Sequence, residues 1–174
     1  HRRVRKAVRW TAAGLAIGFF WTAGYSTLFW KPAQALDDTT ILLQGSVDQW
    51  PQETDYGWSV RVRFKPESGP EIRTLVYLDS QGADLRPGDR VETVAHCTRA
   101  DRASSGETIT YYTSQGIFPT ARAYGRLAVE RPEYPPLRDW PAFWTRTLEE
   151  SVDSLFSDGV SPLVKALVTG NREG

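Results

Sequence analysis

Arg73-Thr-Leu-Val-Tyr-Leu-Asp-Ser-Gln-Gly-Ala-Asp-Leu-Arg-Pro-Gly-Asp-Arg-Val-Glu-Thr-Val-Ala-His-Cys97 reads as a strand, a short loop and a second strand. With the residue before it included, Ile72, Thr74, Val76 and Leu78 alternate with Arg73, Leu75, Tyr77 and Asp79, the period-two pattern of a half-buried strand. In Leu85-Arg-Pro-Gly-Asp-Arg-Val91, Pro87 fixes φ and Gly88 admits a positive φ. The chain therefore turns there before Val91 resumes an extended course. A strand, this turn and another strand fit the later strands of a small barrel.

Extended segments also lie on either side. Upstream, Tyr56 to Lys65 alternates: Tyr56, Trp58, Val60, Val62 and Phe64 face one way, and Ser59, Arg61, Arg63 and Lys65 the other. Pro66 to Pro70 is the hairpin loop that joins this segment to the strand at Ile72, and Pro51 to Asp55 is the loop before it. The first strand spans Thr40 to Trp50, with Gly45 marking a bend where it curls around a barrel corner. Downstream, Arg99 to Gly106 is a polar loop. Thr108 to Pro119 is a connector, helical or irregular, that Gly116 stops. The fifth strand runs from Arg122 to Arg131 with Ala123, Gly125, Leu127 and Val129 inward. Five strands with a connector before the last predict a mainly β fold, an OB-type five-stranded barrel over residues 39–131.

The flanks are of another kind. Five basic residues and no acid stand in positions 1–9, followed by an uncharged, mostly apolar run from Trp10 to Trp30. Some 20 such residues cross a bilayer as a helix, and Trp10 at one end with Tyr25, Phe29 and Trp30 at the other match interfacial aromatics. Residues 1–31 are thus predicted to be a basic flank and transmembrane helix, with the N-terminus cytoplasmic and the barrel on the outer face. The competing reading is a cleaved signal, for which Pro32-Ala-Gln-Ala35 would be the processing site. Lys31 to Asp38 reads as a short polar linker. Beyond the barrel, Pro132 to Pro136 breaks the chain. Asp139 then caps a helix carrying Trp140, Phe143, Trp144, Leu148, Val152 and Leu155 on one stripe. That stripe suits a core-facing helix or, with two tryptophans near a span, a helix lying on the bilayer. A second apolar helix begins at Leu163, so residues 137–174 form a helical region that breaks off. With no methionine anywhere, the sequence reads as a piece of something longer.

In this order the elements resemble the N-terminal region of the ComEC family, bacterial membrane proteins of competence for DNA uptake. Two stretches carry the resemblance: Tyr111-Tyr-Thr-Ser-Gln-Gly-Ile117 before the last barrel strand, and Lys165-Ala-Leu-Val-Thr-Gly-Asn-Arg-Glu-Gly174, like the opening of the family's polytopic channel domain. The resemblance implies an exported accessory domain of a DNA-uptake channel in the bacterial cell membrane. Its implied partners are the membrane, single-stranded DNA, the remainder of its own channel domain and other competence proteins. A structural OB module that organises a membrane assembly without touching nucleic acid is the alternative.

No catalytic constellation, cofactor motif or metal-ligand spacing is present, so the chain does not read as an enzyme. His96 and Cys97 are strand neighbours that point to opposite faces. Beyond the basic flank, 16 basic residues stand against 21 acidic ones, a balance unlike that of a nonspecific nucleic-acid binder. One surface stands out. Arg61, Arg63, Lys65, Arg73 and Tyr77 gather on the outward side of the second and third strands, the face on which OB folds bind nucleic-acid strands. Its competing reading is a charged solvent face that keeps the barrel soluble.

Overall fold

The structure, a computed structural model, describes residues 2–67, 69–103, 105–155 and 164. Six strands form one sheet: β1 (Thr39–Val47), β2 (Gln52–Thr54), β3 (Gly57–Phe64), β4 (Ile72–Leu78), β5 (Arg90–Arg99) and β6 (Ile117–Glu130). They pair in the order β1-β5-β6-β4-β3-β2, and a further β1–β3 pairing closes the first five into a barrel. All pairs are antiparallel except β4–β6. This is a closed mixed barrel of OB type with one short extra strand, β2, at the edge of β3. The core is Leu43, Val47, Val60, Val62, Val76 and their neighbours, taken from alternate positions as the period-two pattern requires. Each such side chain contributes about 1.5–3 kcal/mol on burial.

Closure depends on β1, which pairs with β5 along its length and with β3 at its end. Gly45 stands where both pairings meet, opposite Val91 and Phe64. A Cβ there would lie 2.5 Å from the Arg63 carbonyl oxygen and from Val62 Cγ1, so the bend admits glycine alone. The Leu85–Val91 turn locks the same corner. Gly88 takes φ +92°. Its N–H donates to the Val47 carbonyl, and Val47 N–H donates to the Asp89 carbonyl, each at 2.9 Å. The buried Asp89 carboxylate then receives Arg131 in a two-pronged grip at 3.0 and 2.9 Å, tying the end of β6 back to the turn.

Several boundaries differ from the sequence reading. The expected Pro51–Asp55 loop contains β2, and β3 starts at Gly57, leaving Tyr56 exposed rather than inward. The last strand begins five residues earlier than Arg122, inside the expected connector, because Pro119 sits where the β4–β6 register slips and no backbone donor is needed. Gly125 and Val129 do not point inward: Gly125 lies at φ +84° in an exposed stretch, and Val129 is also exposed. The connector itself reduces to one helical turn, α3 (Tyr111–Ser114), stopped by Gly116 at φ +74°.

The N-terminal segment is one continuous rod. α1 (Arg2–Tyr25) passes through a π-helical turn (Ser26–Trp30) into α2 (Lys31–Gln34). Val8–Gln34 is long and apolar enough to cross a membrane, with mean hydropathy 1.2 in its most apolar window and none of that window buried. The expected linker from Lys31 to Asp38 is therefore helix and turn, and Ala33 is buried in the barrel core. Tyr25 and Trp30 both pack edge-on against Phe118 at 5.9 and 5.8 Å. After the barrel, α4 (Trp140–Leu155) is held by Trp50. Its indole donates to the Ala142 carbonyl at 3.2 Å and its ring meets Phe143 at 5.4 Å. The Arg146 guanidinium lies 4.1 Å over the Trp50 ring. The helix expected from Leu163 and the Lys165–Gly174 stretch lie outside the described residues, Val164 excepted.

Candidate functional site

Antiparallel pairing of β3 with β4 sets Arg63 opposite Arg73 and Ser59 opposite Tyr77, so the outward positions of the two strands share one face. Arg61, Arg63, Arg73 and Tyr77 do come together there. Lys65 lies one residue past β3, exposed, and lines with Arg90 a groove of about 630 Å³ that Arg63 and Glu71 also border.

The face is not open, however. Arg63 is the centre of an ion-pair knot: Nη1 is 3.1 Å from Asp48, Nη2 donates to Asp139, and Nε lies 3.9 Å from Glu71. Its side chain is only 11% exposed and that of Asp139 1%. Arg73 shares Asp48 through Nε at 3.1 Å, and Arg138 approaches Glu71 at 3.4 Å. A charge so enclosed cannot exchange its carboxylates for phosphates without leaving Asp139 buried and unpaired. This corrects the expectation that Arg63 is a free surface cation. Asp139, expected to cap the last helix, turns its carboxylate to Arg63 instead and sits in the 3₁₀ turn that precedes α4.

The rest of the face is roofed by the connector. Arg61 Nη2 donates to Gln115 Oε1 at 2.6 Å, and the hydroxyls of Tyr77 and Tyr112 meet at 3.3 Å. Burial first, then the Tyr112 hydroxyl, raise the Tyr77 phenol from 10.0 to about 12. Arg73 alone of the three arginines keeps a half-exposed side chain, at 49%. It looks into a cavity of about 370 Å³ whose other walls are Tyr25, Phe29, Ile72, Gly116 and Phe118, with Arg63 and Glu71 at the polar end.

Sequence reasoning missed the acids. Asp48 and Asp139 decide what this face can do: Asp48 is a lone carboxylate just past β1 with no spacing signal, and Asp139 reads from the sequence only as a helix cap. Tyr112 had a signal, since the tyrosine pair before Gly116 stands out in the sequence, but not one that placed it over Tyr77. His96 and Cys97 part as their alternation requires: Cys97 is fully buried, while His96 meets Asp38 and Thr40 on the outside, each at 3.3 Å. Among the described residues no group of three His, Cys, Asp or Glu is placed to hold a metal ion.

No protein-family model matches this chain, and no curated protein does. Among solved structures, an aspartyl tRNA synthetase from Entamoeba histolytica is similar with a TM-score of 0.40 and 10% identity, over 75% of this chain and 27% of that one.

Proposed function

We propose that this chain is the membrane-anchored, exported accessory domain of a DNA-uptake channel of the ComEC kind, and that its barrel acts there as a structural organiser. The observation that supports the organising role is the Arg63 knot. One side chain of β3 reaches the β1–β2 loop through Asp48, the β4 flank through Glu71, and the segment leading into α4 through Asp139. The face used by other OB folds to grip a strand holds this chain's own parts together. The order of elements and the two motif stretches support the competence setting. The basic flank supports an orientation with residues before Trp10 in the cytoplasm and the barrel outside.

Direct contact with single-stranded DNA is the second reading, favoured by half-exposed Arg73 and exposed Lys65. Anisotropy of a labelled oligonucleotide, titrated with the full chain in detergent at several salt concentrations, separates the two. A strand-binding face gives a slope of about −0.7 per phosphate contacted, reduced by about that amount in Arg73→Gln and again in Lys65→Gln. The organising role predicts no saturable, salt-dependent binding.

A further inference from the structure

The cavity beside Arg73 stands at a particular level of the molecule. Tyr25 and Phe29, which wall one side, also close the uncharged stretch of the N-terminal helix. In a spanning helix such aromatics settle among the lipid headgroups. The wall opposite carries a cation: Arg73 meets Asp48 through Nε, while its Nη1 lies on the Gly116 side, 3.8 Å from where a Cβ on Gly116 would stand. Gly116 and the half-exposed guanidinium thus line the same cavity, and a short side chain at 116 would stand beside it. Arg63 lies deeper, held by Asp48 and Asp139, and Glu71 lines the rim, its charge met by Arg138 at 3.4 Å and Arg63 at 3.9 Å. Apolar aromatic walls on the helix side and a forked donor on the barrel side make an amphiphile's site, and a cavity of about 370 Å³ is of headgroup size.

We propose that this cavity seats an anionic phospholipid, its phosphate on Arg73 and its acyl chains along the exposed apolar side of α1. The proposal rests on the reading of that helix as a membrane span.

The test uses the full chain reconstituted in vesicles of phosphatidylcholine with and without phosphatidylglycerol, then extracted and assayed for retained phospholipid by native mass spectrometry. The parent chain retains phosphatidylglycerol in preference to phosphatidylcholine, and Arg73→Gln lowers that retention about tenfold while Arg73→Lys keeps part of it. Asp and Asn both adopt the positive φ of position 116. Gly116→Asp sets a carboxylate beside the guanidinium and abolishes the preference, and the isosteric Gly116→Asn preserves it. Equal retention of the two lipids, or undiminished retention in the Asp variant, overturns the proposal. So does displacement of the lipid by inorganic phosphate, which would make the site one for a free anion. Flotation of the parent with vesicles after an alkaline wash reports on the span separately: a chain that floats without lipid preference loses only the headgroup site, and one that does not float loses both.

Discussion

At the scale of single residues, Arg63 is the side chain on which most depends. Replacing it by glutamine strips Asp139 of its counter-charge, while Asp48 keeps Arg73, and breaking a buried pair from one side costs about 3–5 kcal/mol. Urea unfolding of Arg63→Gln should show a correspondingly lower midpoint, and adding Asp139→Asn should recover part of the loss, because the stranded carboxylate is then gone. Arg73→Gln, half-exposed, should cost about 1 kcal/mol of stability or less and barely move the midpoint. Tyr77 gives a second readout at this scale. Its phenol is raised from 10.0 to about 12, so the folded state favours the protonated form. The stability this contributes is complete below pH 10 and is lost as pH climbs towards about 12. Near-ultraviolet titration should show a late phenolate step that disappears in Tyr77→Phe and moves to lower pH in Tyr112→Phe.

Among the elements, the strands were readable because half-buried strands announce themselves by alternation, and four of the five barrel strands were placed from that pattern. The fifth was found but started five residues late, because Ile117-Phe-Pro119 looks like the tail of a connector. Its burial comes from the parallel pairing with β4, a contact distant in sequence that no local pattern encodes. Of the candidate site, the gathering of Arg61, Arg63, Arg73 and Tyr77 on one face was legible in the strand period. What covers them was not, since Asp48, Gln115 and Asp139 arrive from loops. α4 shows the same limit. Its stripe divides: Phe143 turns to Trp50, while Trp140, Trp144, Leu148 and Leu155 stay exposed. Trp50→Ala removes the ring contact, the hydrogen bond to Ala142 and the bed for Arg146. Hydrogen exchange should therefore quicken across α4 and leave the β1–β5 ladder unchanged. Equal exchange in α4 of parent and variant would show that the helix is held by something else.

For the whole molecule, the competence reading commits to a topology that is measurable in cells. In a Cys97→Ala background, a thiol introduced at exposed Ser105 should react with an impermeant maleimide from outside, and one at Arg3 should react only after permeabilisation. The opposite pattern would remove the exported-domain reading. The buried Cys97, pushed up to about 11 by desolvation, is silent in such labelling while the barrel stays folded. There is also a mechanical side to the way the N-terminal rod ends. No slack separates it from the barrel: Ala33 is in the core, and Tyr25 and Trp30 grip Phe118 from two successive turns. The barrel is consequently no ball on a string. The rod is a lever, and any tilt or rotation imposed on it by its surroundings becomes torque on β6 and, through the β4–β6 pairing, on the arginine face itself.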